Sequence, residues 1–280
     1  MTSTIVLITG TNTGIGYETA LQLLKSTKET YKIFVGARSL EKSVGAIDRL
    51  KQEEGAESTK STLEALVVDL EDDESIQKAY EEVEEKVGKV DVLVNNAGKL
   101  TTNLLIVDTS SQAKQQNLTT RQLFTKSFDT NVTGTQVLTE TFVPLLLKSD
   151  APRLLFLGTS MSSLTISEYP QPYFNHAPPA GWPKPNQEFW AYKSSKLALV
   201  MLMRDWAKTL KNDGVKVWAI NPGLVATNLG GDKEFLESIG AGDPARSGGL
   251  IRDVIEGGRD GEVGRMVALE DDIFGGVVPW

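Results

Sequence analysis

The chain has 280 residues, of which 24% are charged, and it contains one histidine and no cysteine. A disulfide framework, a thiolate nucleophile, an iron–sulfur cluster and a cysteine-bound zinc are therefore excluded, and one histidine cannot form a multi-histidine metal centre. The 37 acidic residues outnumber the 29 basic ones and give a net charge of −8, which disfavours nucleic acid or an anionic membrane as a partner.

No targeting or membrane segment is predicted. The N-terminal segment lacks a basic region before its short apolar run, so it does not fit a secretory signal peptide. The apolar run from Leu197 to Met203 has seven residues, far fewer than the roughly 20 that span a bilayer. We therefore expect a soluble, cytoplasmic protein.

Short apolar runs rich in β-branched residues alternate along the chain with longer amphipathic stretches. The runs are 4–8, 32–35, 65–68, 90–94, 154–157, 215–220 and 266–269. Their continuous apolar character is typical of strands that are covered on both faces, as in a parallel sheet with helices on each side. We predict a single α/β domain over residues 1–280, with a doubly wound, seven-stranded parallel sheet.

Helices are predicted between these runs. From Asp72 to Gly88 the apolar or small residues recur at steps of three and four, which gives one buried stripe, and Gly88 suits a C-cap. Two further helical patterns, about 120–147 and 190–210, are rich in Leu, Val and Ala.

A glycine-rich turn, Thr-Gly-Thr-Asn-Thr-Gly-Ile-Gly at 9–16, follows the first predicted strand and opens a helix near Tyr17. Such a turn in a βαβ unit brings backbone N–H groups and the positive end of a helix against a pyrophosphate. No Lys-Ser or Lys-Thr follows the glycines, so an ATPase-type phosphate loop is excluded. The alternative is an ordinary βα turn.

The end of the second predicted strand indicates which dinucleotide is preferred. A dinucleotide site keeps an acid there for the ribose 2′-hydroxyl or a base for a 2′-phosphate. Arg38 occupies this place, and no acidic residue occurs between Glu29 and Glu41. Because a guanidinium can hold a phosphate through paired charged hydrogen bonds, NADPH is favoured over NADH. The alternative is that Arg38 is a solvated surface residue.

A phenol and an amine stand at the start of a late predicted helix. Tyr192 and Lys196 are four residues apart and therefore share a helical face. A nearby ammonium stabilises a phenolate, so we expect it to lower the pKa of the phenol from about 10 and make Tyr192 a better proton donor near neutral pH.

In order and over nearly the whole chain, these segments resemble the short-chain dehydrogenase/reductase family. The matching segments are the turn at 9–16, Asp69-Leu70, Asn95-Asn96-Ala97-Gly98, Asn131 in Asn-Val-Thr-Gly, Tyr192-x-x-x-Lys196, and Asn221-Pro222-Gly223 followed by Val225 and Thr227. The resemblance implies a Rossmann fold, NADP(H) as cofactor and no metal.

The same resemblance implies roles for individual residues. Tyr192 would be the acid and base, Lys196 its electrostatic partner and ribose ligand, and Asn131 would position a water in a proton relay. Asp69 would approach adenine, and Thr227 would hold the nicotinamide carboxamide. The other residues implied at the cofactor are Gly10, Thr11, Asn12, Gly14, Ile15, Gly16, Arg38, Leu70, Asn95, Asn96, Ala97, Gly98, Pro222, Gly223 and Val225.

The catalytic hydroxyl is where the chain departs from the family pattern, in which serine is commonly the second member of a Ser-Ser pair. The corresponding loop reads Gly-Thr-Ser-Met at 158–161. Either hydroxyl can donate a hydrogen bond to a carbonyl oxygen. The register favours Thr159, and Ser160 remains a contender.

A second departure is the separation of 33 residues between Thr159 and Tyr192, which exceeds what the family needs. The surplus is an irregular insertion at about 165–189 that holds six of the eleven prolines and several aromatic residues. Its aromatics either roof a pocket for bulky or aromatic carbonyls or pack over a helix. It resembles the insertion of monomeric carbonyl reductases, so a monomer and a homodimer both stay open. A glycine-rich stretch at about 228–245 is expected to form a substrate lid.

The leading hypothesis is an NADPH-dependent carbonyl reductase in which hydride reaches the carbonyl carbon and Tyr192 protonates the oxygen. One alternative is a regulator that binds NADPH without turnover. Another is a serine hydrolase around Ser160, because residues 158–162 look like a degraded nucleophile elbow. That elbow lacks its last glycine, and His176 follows only 16 residues later among prolines, so hydrolysis is disfavoured.

Overall fold

The computed structural model describes residues 3–56, 60–100, 118–172, 175–182, 184, 189–227, 229 and 233–280. Eight strands form one sheet in this part of the chain. They are β1 (Thr4–Ile8), β2 (Tyr31–Ala37), β3 (Thr62–Val67), β4 (Val92–Asn95), β5 (Arg153–Leu157), β6 (Lys216–Ile220), β7 (Met266–Val267) and β8 (Val277–Val278). Their order is β3-β2-β1-β4-β5-β6-β7-β8, and all neighbours are parallel except β7 and β8.

Nine α-helices connect and flank these strands in the described residues. They are α1 (Gly14–Leu24), α2 (Leu40–Leu50), α3 (Asp73–Val87), α4 (Thr120–Phe128), α5 (Thr135–Leu146), α6 (Leu164–Ser167), α7 (Trp190–Thr209), α8 (Lys233–Ser238) and α9 (Pro244–Ile255). The predicted boundaries of α3 are confirmed: the Asp72 side chain accepts a hydrogen bond from the Glu74 N–H, and Gly88 ends the helix with φ 71°.

Two apolar clusters lie on opposite faces of the sheet. Leu7 belongs to the cluster under α3, α5 and α7, whereas its neighbours Val6 and Ile8 belong to the cluster under α1, α2 and α9. Successive side chains of a strand point to opposite faces, so a strand that is covered on both sides must be apolar throughout. This explains the continuous apolar runs and confirms the doubly wound α/β fold.

The predicted strand number was wrong by one. The two residues of β8 pair antiparallel with β7, so that the chain folds back along the edge of the sheet after β7. A run of two valines beside a proline carries no strand pattern of its own. The segment forms a strand only because it can pair with the exposed edge of β7.

The predicted helical stretch over 120–147 is interrupted by a π-helical turn at Asp129–Gly134, which separates α4 from α5. The backbone of Gly134 packs against the loop after β3, where an added Cβ would lie 1.9 Å from the Leu70 carbonyl oxygen. π-Turns of this kind are frequent at functional sites. Asn131 lies within the turn and is fully buried.

Among the described helices, none has both the length and the apolar character that crossing a bilayer requires.

Candidate functional site

A cavity of about 450 Å³ lies at the carboxyl ends of the parallel strands. The chain runs outward from β1 to β3 and then crosses to β4 on the other side of β1. Loops that leave in opposite directions at such a switch point open a crevice between them. The cavity is lined by the ends of strands and the loops after β1 to β6, the start of α1, one residue of the π-turn and two side chains of α7. These residues are Gly10, Asn12, Thr13, Gly14, Ile15, Ala37, Arg38, Val68, Asp69, Leu70, Glu71, Asn96, Ala97, Gly98, Lys99, Leu100, Thr130, Leu157, Gly158, Tyr192, Lys196, Pro222, Thr227 and Leu229.

The glycine-rich turn fits an anionic ligand sterically. Gly10 has φ 67°, a conformation that other residues rarely adopt. At Gly16 an added Cβ would lie 2.5 Å from the Asn96 Nδ2 atom and 2.7 Å from the Gly10 carbonyl oxygen. The turn can therefore close against the β4 loop only with glycine at position 16.

The start of α1 fits an anion electrostatically. The Thr13 side chain makes no capping hydrogen bond to the first turn, and that turn contains no acidic residue. The protein thus places neither a cap nor a negative charge against the first N–H groups of α1, where the helix dipole favours an anion. A dinucleotide pyrophosphate matches this end of the cavity.

Asn96 lines the cavity, as the resemblance implied for the segment 95–98, and it also supports the glycine-rich turn. Its Nδ2 atom donates to the Thr9 carbonyl over 2.7 Å and to the Gly10 carbonyl over 3.2 Å. Asn95, which was also singled out, is buried and donates from Nδ2 to the Thr139 Oγ1 atom over 3.0 Å. Asn95 therefore lies behind the cavity wall, and strand alternation separates the two asparagines.

The end of the cavity near β2 and β3 carries a cluster of charges. Arg38 is exposed and lines the cavity, as do Asp69 and Leu70. Glu71 accepts hydrogen bonds from the Lys99 ammonium and the Thr130 hydroxyl. Burial opposes ionisation of Glu71, but these hydrogen bonds and the charges of Lys99 and Arg38 hold its pKa below the usual value. No sequence motif indicated this cluster, because its members come from the loops after β2, β3 and β4 and from the π-turn, which lie far apart along the chain.

Lys196 is almost fully buried, with 4% of its surface exposed. Its Nζ atom donates to the Leu157 carbonyl over 2.7 Å and lies 6.0 Å from the centroid of the Tyr192 ring. Burial lowers the pKa of Lys196 to about 8 because it disfavours the charged ammonium. The predicted pairing of the two residues on one helical face is present.

The pKa of Tyr192 departs from the sequence-based expectation. Burial raises the pKa of the phenol to about 12, and a hydrogen bond with the Thr159 side chain opposes the rise only in part. We expected the Lys196 ammonium to lower this pKa, but burial, opposed only by Thr159, determines the shift. The phenol therefore carries its proton at neutral pH.

Thr159 and Ser160 differ in what they contact. The Thr159 side chain lies beside the Tyr192 phenol and lowers its pKa, and the Thr159 Oγ1 atom accepts from the Met161 N–H over 3.3 Å. Ser160 makes its contacts through the backbone: its N–H donates to the Asn221 Oδ1 atom over 2.9 Å, and its carbonyl accepts from the Ser163 N–H over 3.0 Å. The geometry thus brings Thr159, rather than Ser160, together with Tyr192. His176 is exposed.

The side chain of Asn131 is engaged by the protein itself. Its Nδ2 atom donates to the Lys99 carbonyl over 2.9 Å and to the Ser195 Oγ atom over 3.0 Å, while its Oδ1 atom accepts from the Lys99 N–H over 2.7 Å. The Ser195 hydroxyl donates in turn to the Tyr192 carbonyl over 2.9 Å. Both amide hydrogens of Asn131 are used, so its side chain braces the β4 loop against α7 rather than offering a donor to water.

The other predicted cofactor residues divide into two groups. Gly10, Asn12, Gly14, Ile15, Ala97, Gly98, Pro222 and Thr227 line the cavity. Thr11, Gly16, Gly223 and Val225 are not among the lining residues. Thr11 is buried and ties the turn to the sheet, donating from its hydroxyl to the Ile8 carbonyl over 2.6 Å.

The predicted lid is anchored at its base. Val225 forms a bridge with Gly242, and the Ala226 N–H donates to the Gly242 carbonyl over 3.1 Å. Residues 228 and 230–232 of the predicted lid lie outside the described residues. The same holds for residues 173, 174, 183 and 185–188 of the proline-rich insertion. Trp182, which is 76% exposed, is not among the residues that line the cavity.

Comparison with known proteins agrees with this fold and identifies the family. A family model described as short chain dehydrogenase matches residues 4–171 and 180–235. The short-chain dehydrogenase/reductase tropE of Talaromyces stipitatus is 39% identical over 270 residues, which cover 96% of each chain. The short-chain dehydrogenase/reductase eupG of a Phoma species is 40% identical over 285 residues, covering 99% of this chain and 97% of its own.

Solved structures with the same fold include proteins crystallised with the phosphorylated dinucleotide. The NADPH-bound carbonyl reductase from chicken fatty liver superposes with a TM-score of 0.76 at 22% identity and covers 100% of both chains. The NADP complex of RhlG from Pseudomonas aeruginosa gives a TM-score of 0.73 at 22% identity and covers 96% of this chain and 95% of its own. Together with the family match, these comparisons establish that the chain belongs to the short-chain dehydrogenase/reductase family of oxidoreductases.

Proposed function

We propose that the protein is an NADPH-dependent carbonyl reductase that reversibly reduces a ketone or aldehyde. The observation that carries the proposal is the placement of the Thr159 side chain beside a protonated Tyr192, one helical turn from Lys196, at the wall of a cavity that also contains the glycine-rich turn. A binding module has no need for an acid, an amine and a second hydroxyl at one place. The site combines proton delivery with dinucleotide binding.

NADPH supplies the hydride when it is bound. The glycine-rich turn and the start of α1 would hold the pyrophosphate, Asp69 and Leu70 would lie along adenine, and Thr227 would approach the nicotinamide carboxamide. Arg38 lines the cavity at the end of β2, where its guanidinium would bind the 2′-phosphate. The solved relatives with NADPH and NADP bound support this preference.

The proton is the contribution of the protein. With a pKa of about 12, Tyr192 carries its proton at neutral pH and can give it to the carbonyl oxygen as the hydride arrives at carbon. The Thr159 hydroxyl would donate a second hydrogen bond to that oxygen. Lys196 holds its ammonium beside the ring, where it stabilises the phenolate formed by the transfer.

The other proposals concern partners and location. The substrate is a small carbonyl compound or alcohol, bulky or aromatic if the insertion at about 165–189 covers the pocket, and the lid at about 228–245 closes over it. The protein acts as a monomer or a homodimer in the cytoplasm, which agrees with the absence of cysteine. Size-exclusion chromatography with light scattering distinguishes the two oligomeric states.

The decisive experiment is NADPH oxidation with a broad panel of aldehydes and ketones, for the wild type and Tyr192→Phe. We expect turnover in the wild type and a loss of about a thousandfold in the variant. NADPH binding without turnover on any carbonyl would instead favour a dinucleotide-sensing regulator. Activity on ester substrates that depends on Ser160 would favour a hydrolase.

A further inference from the structure

We propose that Asp272, in the loop between β7 and β8, is a positioning residue that sets the orientation of the Asn221 side chain and, through it, the loop that carries Thr159. The inference rests on the proposed function for its catalytic consequence. Asp272 is not among the residues that line the cavity. It acts through two hydrogen bonds in series.

Asn221 is the link between the two loops. Its side chain is buried, donates from Nδ2 to the Asp272 Oδ2 atom over 3.3 Å, and accepts at Oδ1 from the Ser160 N–H over 2.9 Å. Its own N–H donates to the Val267 carbonyl over 2.7 Å, which fixes the backbone at the end of β6. With the backbone held, the remaining freedom of Asn221 is the rotation of its terminal amide.

An amide has one accepting and one donating end of nearly equal shape, so its partners decide which way it faces. An ionised carboxylate only accepts hydrogen bonds. Asp272 therefore requires the donating end of Asn221 to face it, which turns the accepting end toward the Ser160 N–H. Without the Asp272 carboxylate, the Asn221 amide can rotate by half a turn. Its NH₂ group then faces the Ser160 N–H, so two donors meet and a buried donor is left without an acceptor.

Asp272 is itself held in place by its loop. Its Oδ1 atom accepts from the Phe274 N–H over 3.0 Å, its N–H donates to the Leu269 carbonyl over 3.0 Å, and its carbonyl accepts from the Gly275 N–H over 2.8 Å. The loop exists because β8 folds back on β7. The fold-back brings a carboxylate to the ends of β5 and β6.

The expected consequence is a change in proton transfer rather than in cofactor binding. Ser160 directly follows Thr159, and the anchored Ser160 N–H fixes the turn in which the Thr159 hydroxyl meets Tyr192. When Asn221 turns over, that hydroxyl moves relative to the phenol. Misplacement of a reacting group lowers kcat, while the distant turn at 9–16 keeps its affinity for NADPH.

The test exchanges the two side chains. Asp272→Asn alone presents one accepting and one donating end, so it mismatches either Phe274 or Asn221, and Asn221→Asp alone opposes two carboxylates. In the double variant Asn221→Asp and Asp272→Asn, every donor again has an acceptor. The carboxylate at position 221 accepts from the Ser160 N–H and from the amide NH₂ at position 272, and the amide oxygen at position 272 accepts from the Phe274 N–H. We expect each single variant to lose about tenfold in kcat with the KM for NADPH changed less than about twofold, and the double variant to recover most of the loss.

Asp271→Asn is the matched control. Asp271 precedes Asp272 in the same loop but forms an exposed ion pair with Arg246, at 2.6 Å. Asp271→Asn removes a charge from the same loop but leaves the contacts of Asn221 unchanged, so kcat should stay within about twofold of the wild type.

A second readout does not depend on turnover. Hydrogen exchange of the peptide that contains Ser160 should quicken in Asp272→Asn, return toward the wild-type rate in the double variant, and stay unchanged in Asp271→Asn. Wild-type exchange and kcat in Asp272→Asn, or a double variant no better than the single ones, would overturn the proposal. If the wild type reduces no carbonyl, the proposed function fails, and the exchange pattern still decides whether Asp272 orients Asn221.

Discussion

The Nζ atom of Lys196 donates a hydrogen bond to the carbonyl oxygen of Leu157, the last residue of β5, over 2.7 Å. The contact ties α7, which carries both Tyr192 and Lys196, to the strand that leads into Thr159. Burial at this place lowers the pKa of Lys196 to about 8 and raises that of Tyr192 to about 12. The packing that assembles the site also sets its proton affinities.

Lys196 should make the stability of the protein depend on pH. Between its folded pKa of about 8 and its unfolded value of 10.5, the unfolded chain binds more protons than the folded one. The free energy of unfolding contributed by Lys196 therefore rises with pH through this window, by up to about 3 kcal/mol in total. Urea denaturation between pH 7 and 9.5 should show this rise in the wild type relative to Lys196→Met.

The exposed lysine Lys208, also on α7, provides the control for this experiment. Lys208→Met should follow the wild-type pH dependence. A wild-type curve that runs parallel to that of Lys196→Met would contradict the assignment of this window to Lys196.

Tyr192→Phe should lower kcat by about a thousandfold, because it removes the proton donor and keeps the ring. Fluorescence titration with NADPH should give an affinity close to that of the wild type. Tyr80→Phe removes a hydroxyl that bonds Glu84 on α3, away from the cavity, and should leave kcat unaffected. Equal kcat values in Tyr192→Phe and the wild type would remove the phenol from the mechanism.

The two hydroxyls after β5 should respond differently to removal. Thr159→Ala should lower kcat by about a hundredfold, because the hydroxyl that meets Tyr192 is lost, and Thr159→Ser should recover most of it. Ser160→Ala keeps the N–H that donates to Asn221, so its loss should be less than about threefold. Steady-state kinetics on one carbonyl substrate would show the reverse order if Ser160 supplied the hydroxyl.

Arg38→Glu should weaken NADPH binding by about a hundredfold and leave NADH binding nearly unchanged, because only NADPH brings a 2′-phosphate to this end of the cavity. Direct titration of both cofactors measures the ratio. Lys42→Glu changes the same charge at an exposed position of α2 and controls for long-range electrostatics. An unaltered ratio in Arg38→Glu would mean that Arg38 does not select the cofactor.

Gly16→Ala should weaken NADPH binding because its methyl group would lie 2.5 Å from the Asn96 Nδ2 atom and force the turn away from the β4 loop. Gly45→Ala, in α2, is the matched control: apart from its chain neighbours and the adjacent backbone of α2, nothing lies within 4 Å of the added methyl group. That variant should bind NADPH normally and gain about 0.5–1 kcal/mol in stability by thermal denaturation, as alanine does in a helix. Normal binding by Gly16→Ala would show that the turn does not need this close approach.

Strands and cavity residues whose positions follow from local sequence patterns were largely foreseeable. The apolar runs predicted seven of the eight strands, and the glycine turn, Arg38, Tyr192 and Lys196 all line one cavity. Such features depend on neighbours along the chain, which periodicity and spacing record. The sequence did not decide whether Thr159 or Ser160 lies beside Tyr192, because that depends on the conformation of the folded loop.

Features that depend on distant contacts were not foreseeable. The pKa of Tyr192 rises because of burial by the whole fold, whereas the sequence displayed only the lysine one turn away. Glu71 and Lys99 come from two loops and Thr130 from the π-turn, and only the fold brings them together. The two residues of β8 form a strand only by pairing with β7. The position of Asp272, in the loop between them, therefore could not be predicted from the sequence alone.

The π-turn at Asp129–Gly134 should make this part of the chain sensitive to insertions and deletions. A π-turn holds one more residue than the α-helical turn it replaces. Deleting a single residue there should let α4 and α5 merge into one regular helix, rotate Asn131 out of register with Ser195 and Lys99, and so release the clamp on α7. Indels in this stretch should therefore be far more damaging than point substitutions on the exposed side of the same helices.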